Sequence, residues 1–125
     1  MTTAKESERQ AVARAGELAA AEHLERLGFE RLAMNVRVGS DEADVVMRAP
    51  DGRTLVVVEV KARTDPRAWP EDRIDYKKRR SLLRLAARLG ERTRPPTPVR
   101  IDAVSVLLLP DAPPAIRHFA NAVSP

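Results

Sequence analysis

The sequence predicts a small α/β domain on a mixed sheet, and three observations lead there. At 125 residues the chain fits one domain, spanning 1–125, with no room for a second. Apolar residues recur first at helical spacing, then in three strand-like runs, then at helical spacing again, then in a further strand. Between two of those runs stands an Asp-Gly pair, the strongest short-range hairpin signal.

The first helix is expected from Ser7 to Leu27, where Val12, Ala15 and Ala19, together with Leu18, Ala21, Leu24 and Leu27, repeat every three or four residues. Gly28 suits the left-handed residue just past a helix end, with Phe29 folding back onto it. Alternation of Leu32, Met34, Val36 and Val38 predicts a half-buried strand, and Glu42 to Arg48 a second. Thr54 to Arg63, around Val56-Val57-Val58, is apolar on both faces and therefore central. Pro50-Asp51-Gly52-Arg53 joins these last two strands. After a polar loop with Pro66 and Pro70, a second helix is expected from Asp75 to Leu89, capped by Asp75 or Asp72 and stopped by Gly90. Pro95, Pro96 and Pro98 enforce a linker. Val99 to Leu109 reads as a strand, and Ala115 to Val123 as an edge strand or tail, so the core is 7–109 with 115–125 appended.

Composition excludes several classes of function. Zero cysteines remove disulfide scaffolds, zinc fingers and thiol nucleophiles, and a count of two histidines argues against a conventional zinc site. No apolar run approaches the roughly 18–20 residues needed to cross a bilayer. The polar, partly acidic start fits neither a signal nor a transit peptide, so a soluble cytoplasmic protein with no membrane partner is expected. There is no Gly-rich phosphate loop, nucleophilic triad order or dinucleotide fingerprint. The four aromatic residues leave the core to aliphatic side chains.

Charge is unevenly spread. From Arg73 to Arg94 there are nine Lys or Arg against two acids, Asp75 and Glu91. Such a segment suits either a polyanionic partner or a solvated helix face. Lys77, Lys78, Arg79 and Arg80 fall in the first turns of the second helix, where cations oppose the macrodipole. Phosphate binding would offset that cost, so these four are candidate nucleic-acid contacts. Trp69, in a proline-flanked loop, is either a packing residue or a platform for a base. His23 and His118 lack any ligand spacing and read as surface or structural residues.

The hairpin brings together the residues with chemical potential. A turn centred between Asp51 and Gly52 sets Asp44 opposite Glu59 and Glu42 opposite Lys61, with all four on one face. Two carboxylates about 5 Å apart across a ladder repel. A hard divalent cation such as magnesium reverses that balance, taking both and leaving room for water and a phosphate oxygen. Lys61, two residues along, could then orient the attacking water or stabilise charge on phosphorus. The plain alternative is an exposed face on which Glu59 pairs with Lys61.

Asp44, fourteen residues, then Glu59-Val60-Lys61 resembles the Asp…Glu-x-Lys signature of restriction-endonuclease-like nucleases. A fuller likeness is to the YraN-like family of small bacterial proteins with that fold. It runs through Gly16-Glu17, Asn35, Arg37, Glu42-Ala43-Asp44-Val45-Val46, Val57 to Arg63, Lys78, Ile101-Asp102-Ala103-Val104 and Asn121-Ala122. The resemblance implies an α-β-β-β-α-β core with a mixed central sheet flanked by helices. It implies Asp44 and Glu59 as ligands of Mg2+ (Mn2+ as substitute), the Val60 carbonyl as a third ligand, Lys61 as catalytic lysine, and Glu17 reaching the site from the first helix. Arg37 and Arg63, within the matching motifs, join the candidate nucleic-acid contacts. One departure stands out: Asp41 occupies a position where the family usually has Gly, and could add negative charge near the site. The expected activity is phosphodiester hydrolysis in DNA, branched DNA included, or in other structured nucleic acid. The alternative is a binding module with weak or no catalysis. One small domain offers little surface for sequence readout, which favours that module or a homodimer.

Overall fold

A computed structural model describes residues 4–67, 74–93 and 96–123. Its elements follow in the order α1 (Ala4–Arg26), β1 (Glu30–Val38), β2 (Asp41–Arg48), β3 (Leu55–Arg63), α2 (Tyr76–Glu91), β4 (Val99–Leu107) and β5 (Ala115–Val123). The five strands lie side by side in that same sequence order. Neighbours are antiparallel except β3 and β4, which run parallel because α2 carries the chain across. β3 is central, as its doubly apolar pattern predicts. The C-terminal run is a strand, β5, on the sheet edge. Trp69 lies outside the described residues, and so does Asp72, one of the two possible caps of α2.

Helices cover both faces. On one, Ala19, Ala20, Ala21 and Leu24 of α1 pack with Phe29, Val45, Met47, Val56, Val58, Val104 and Val106. On the other, Leu82, Leu85 and Ala86 of α2 pack with Val38, Ala43, Val46, Val57, Ile101 and Val123.

The buried stripe of α1 differs from the one its leucines predict. Leu18 and Leu27 are 46% and 55% exposed, whereas Gly16, Ala20 and Leu24, spaced by four, face the sheet. Size decides this, because a Cβ on Gly16 would collide with the Ala62 Cβ on β3. Only small side chains let the helix lie this close. Its end follows expectation: Gly28 has φ 98°, its N–H and that of Phe29 donate to Glu25 and Leu24 carbonyls at 3.0 Å each, and Phe29 is buried against the helix.

The β2–β3 turn is the four-residue form. Ala49 N–H donates to Thr54 O at 2.8 Å, and the Asp51 carboxylate accepts from the Arg53 and Thr54 amides and the Thr54 hydroxyl. Asp75 caps α2 by accepting the Lys78 amide at 2.8 Å. Gly90 does not stop the helix, which continues to Glu91. A Cβ there would lie 3.3 Å from Val99 Cγ2, so this glycine serves close packing, and Thr93 Oγ1 caps its carbonyl at 2.8 Å.

Asp102, in the middle of β4, is fully buried and structural. Arg100 donates to it at 3.0 and 3.2 Å and the Asn121 amide at 2.9 Å, while His118 Nε2 lies 2.7 Å away. These bonds fix β5 at its register shift, where Asn121 takes a left-handed φ of 54°.

The Gly16–Ala62 contact yields a test of sign. Helix propensity alone predicts that Gly16→Ala gains about 1 kcal/mol. The collision predicts a net loss of about 1–3 kcal/mol instead, typical of overpacking. Urea denaturation of the two proteins decides between them.

Candidate functional site

Faces reverse along β1 and β2 at one level. Met34 joins the α1-side core, but Val36 and Val38 join the α2-side core, although residues two apart in a strand ordinarily share a face. Asn35 lies between them with φ 51°. On β2 the same switch falls between Ala43 and Val45, which pair with Val36 and Met34. Asparagine tolerates this backbone region better than most residues. The residue at the switch in β2 is Asp44.

The predicted hairpin register holds from Arg48↔Leu55 to Val45↔Val58 and ends there. Asp44 and Glu59 are not ladder partners, nor are Glu42 and Lys61, because the strands part at this point. Instead the Val60 amide donates to Asp44 Oδ2 at 2.8 Å. The expected single face is thereby corrected. Val58 and Val60 pack toward α1, so the intervening Glu59 projects toward α2, while Asp44 sits in the opening seam. Glu42 turns to Arg37 of β1, 3.3 Å away in an exposed ion pair.

The two carboxylates still meet. Glu59 is buried, and its pKa is pushed well above the ordinary range by burial first and then by the adjoining Asp44 carboxylate. Lys78, from the first turn of α2, opposes that shift at 3.5 Å from Glu59 Oε2 and donates to the Glu42 carbonyl at 3.3 Å. Glu17 comes in from α1 behind Gly16. Its pKa is raised by burial and by the charge of Asp44, against a hydrogen bond from Asn35. Lys61 and Arg63 line a cleft of about 670 Å³ with Arg9, Val12 and Ala13 of α1. A second cleft of about 560 Å³ is lined by Arg14, Glu17, Asn35 and Glu42. Both include Ala13, so the open space flanks α1 on the side where β2 and β3 part.

Among the described residues, no three His, Cys, Asp or Glu side chains form a metal site by themselves. The chemistry of the donor set nevertheless suits a hard divalent cation. Two carboxylates adjoin, one of them buried with its charge only partly offset, and oxygen from main chain, water or phosphate can complete a coordination shell.

The basic helix is less available than its composition implies. Arg84 donates to Asp41 at 2.9 and 3.2 Å and Arg88 lies 3.9 Å from it, while Ser81 donates to it at 2.7 Å. Asp41 is thus buried against α2, its pKa held down by Arg84 and Ser81, and does not add charge to the site. Lys78 is turned inward, whereas Lys77, Arg79 and Arg80 are exposed, with Arg80 lying 5.8 Å over the Tyr76 ring. Arg37 is also exposed, and Arg63 donates to its neighbour's carbonyl at 2.8 Å. Sequence reasoning placed Lys78 among the phosphate contacts and gave Asn35 no role, although Asn35 stands in the family likeness; its unusual backbone angle leaves no periodic trace. No helix among the described residues is long and apolar enough to cross a membrane.

Residues 16–106 match the uncharacterised protein family UPF0102. A UPF0102 protein of Symbiobacterium thermophilum is 43% identical over 116 residues, covering 89% of this chain and 94% of its own. One from Nocardia farcinica is 36% identical over 118 residues, covering 93% and 91%. Among solved structures, the Holliday junction resolvase Hjc of Archaeoglobus fulgidus shares the fold with a TM-score of 0.51 and 23% identity, over 86% of this chain and 75% of that one.

The Glu59 environment makes stability depend on pH. Its pKa is higher folded than unfolded, so its favourable contribution is fully present below the unfolded value of 4.5 and is lost as pH rises through the folded one. Between about pH 5 and about 9, metal-free wild type should therefore lose stability relative to Glu59→Gln. Parallel melting curves across that range check this; profiles of equal slope would contradict it.

Proposed function

The chain belongs to the uncharacterised protein family UPF0102, and from that membership together with the meeting of Asp44 and Glu59 we propose a magnesium-dependent nuclease acting on branched DNA. The observation that carries the reading is the pair of adjoining carboxylates where β2 and β3 part, with Lys61 two residues beyond Glu59. The fold shared with a Holliday junction resolvase makes a four-way junction the first substrate to test.

In this reading Asp44 and Glu59, with the Val60 carbonyl, hold the cation. Bound there, Mg2+ (or Mn2+) supplies Lewis-acid stabilisation of charge on the phosphoryl oxygens. The chain's own groups do the rest. The Val60 amide keeps Asp44 facing the seam. Lys61 orients the water and donates hydrogen bonds to the phosphate as negative charge builds on it. Water adds across the phosphorus–oxygen bond, leaving one phosphomonoester and one hydroxyl, and the departing oxygen takes a proton. Glu17, whose raised pKa favours holding a proton, lies where it can donate or accept one. Arg9, Arg63 and Arg37 border the approach for the phosphate backbone.

A non-catalytic binding module on the same fold is the second reading, favoured by the Lys78 ammonium that already offsets Glu59. One comparison separates the two. Lys61→Ala should lower junction cleavage by about 10²–10³-fold while leaving binding in a gel shift nearly unchanged, because grip depends on many phosphate contacts. Binding by wild type without cleavage of branched or linear DNA, in either metal, would favour the module. Unchanged cleavage by the variant would remove Lys61 from the mechanism.

Lys77 and Arg80 are expected to contact phosphates. Replacing both with Ala should weaken binding about equally for unrelated sequences and lower the salt slope by about one per lost contact. Affinity insensitive to salt in wild type would contradict this.

A further inference from the structure

Lys78 occupies a costly position. It lies in the first turn of α2, where its charge opposes the helix dipole. Its side chain is only 33% exposed, so it has given up much of the freedom a surface lysine keeps. Two acceptors draw it inward: Glu59 Oε2 at 3.5 Å and the Glu42 carbonyl at 3.3 Å. The Asp75 cap fixes the helix start from which it reaches, by taking the Lys78 amide itself at 2.8 Å. Its exposed neighbour Lys77 makes no comparable inward turn.

We propose that Lys78 is the built-in counter-cation of Glu59 and must leave that carboxylate when a divalent cation binds to it. This rests on the metal reading of Asp44 and Glu59 given above. An ammonium beside Glu59 and a doubly charged ion held by the same carboxylate repel one another strongly in a partly buried setting. Glu59 Oε2, the oxygen that faces Lys78, is one of the two a metal on this carboxylate could take. In the metal-free protein the lysine lies against Glu59 and works against the upward push on its pKa, and the cost of displacing it lowers metal affinity. Lys78 is a positioning residue here, acting through Glu59 and not on the reacting atoms.

The test is calorimetric titration of Mg2+ and Mn2+ into full-length wild type, Lys78→Met, Lys78→Arg and Glu59→Gln, without nucleic acid. Lys78→Met should bind metal about tenfold more tightly than wild type, Lys78→Arg should stay close to wild type, and Glu59→Gln should lose binding. A purely structural lysine would give Lys78→Met equal or weaker affinity, and that result overturns the proposal. Binding by neither wild type nor Lys78→Met overturns the metal reading itself, and this inference with it. A measurement on wild type alone covers a variant that fails to fold. The rate at which an amine-acylating reagent modifies Lys78, read by mass spectrometry, should rise severalfold when Mg2+ saturates the site; an unchanged rate refutes displacement.

Discussion

The Val60 amide gives its hydrogen bond to the Asp44 carboxylate, and the architecture of the site depends on that substitution. In a continuing antiparallel ladder a main-chain carbonyl of β2 would meet this amide. β2 and β3 instead separate beyond Val45 and Val58, and an unpaired amide there would cost about 1–3 kcal/mol. Asp44 removes that cost while the strands open. One side chain thus satisfies the backbone and faces Glu59. The opening is what separates a sheet that merely carries acids from one that presents them.

Two features let Asp44 do this. Asn35 takes a left-handed backbone angle at the level where β1 and β2 exchange faces, so Asp44 leaves the ordinary alternation without stripping Met34 or Val45 from the core. Asn35 also works against the rise of the Glu17 pKa, which links this level of the edge strand to α1. The helix can come this close only because Gly16 rests on Ala62. Close packing and an acidic residue at the next position are therefore one device. The glycine sets the distance, and Glu17 uses it.

Much of this architecture is legible in the sequence. Asp51-Gly52 and the valine runs fix the pairing of β2 with β3 as far as Val45 and Val58, because one wrong step would turn every core side chain outward. The Asp…Glu-x-Lys spacing marks Asp44, Glu59 and Lys61 as a group. What the sequence hides is whatever depends on partners far along the chain. Arg84 and Arg88 look like a phosphate-binding face until Asp41, more than forty residues earlier, is found bonded to them. Leu18 and Leu27 look like core by hydropathy, but the helix face that fits the sheet is chosen by small volume. The exchange of faces in β1 and β2 falls at a single left-handed residue, Asn35, which periodicity does not record.

Two buried carboxylates on neighbouring strands show why Glu59 stands apart. Asp102 on β4 is fully enclosed, yet Arg100, His118 and the Asn121 amide surround it, and their hydrogen bonds hold its pKa below the ordinary value despite burial. Such an acid is fully paired and ties β5 to the sheet. Glu59 on β3 has burial and Asp44 pushing its pKa up, and one ammonium at 3.5 Å pulling the other way. Burial pushes both pKa values up, so the opposite outcomes reflect how many donors each acid has. A fold selected only for stability would treat Glu59 as it treats Asp102, with an arginine and an amide at hand. Leaving it beside another carboxylate costs free energy that a divalent cation would recover, and it does so where the strands open onto solvent and Lys61 lines the cleft. The imbalance between these two acids, more than the motif that first marks it, is the physical argument for a working site at Glu59.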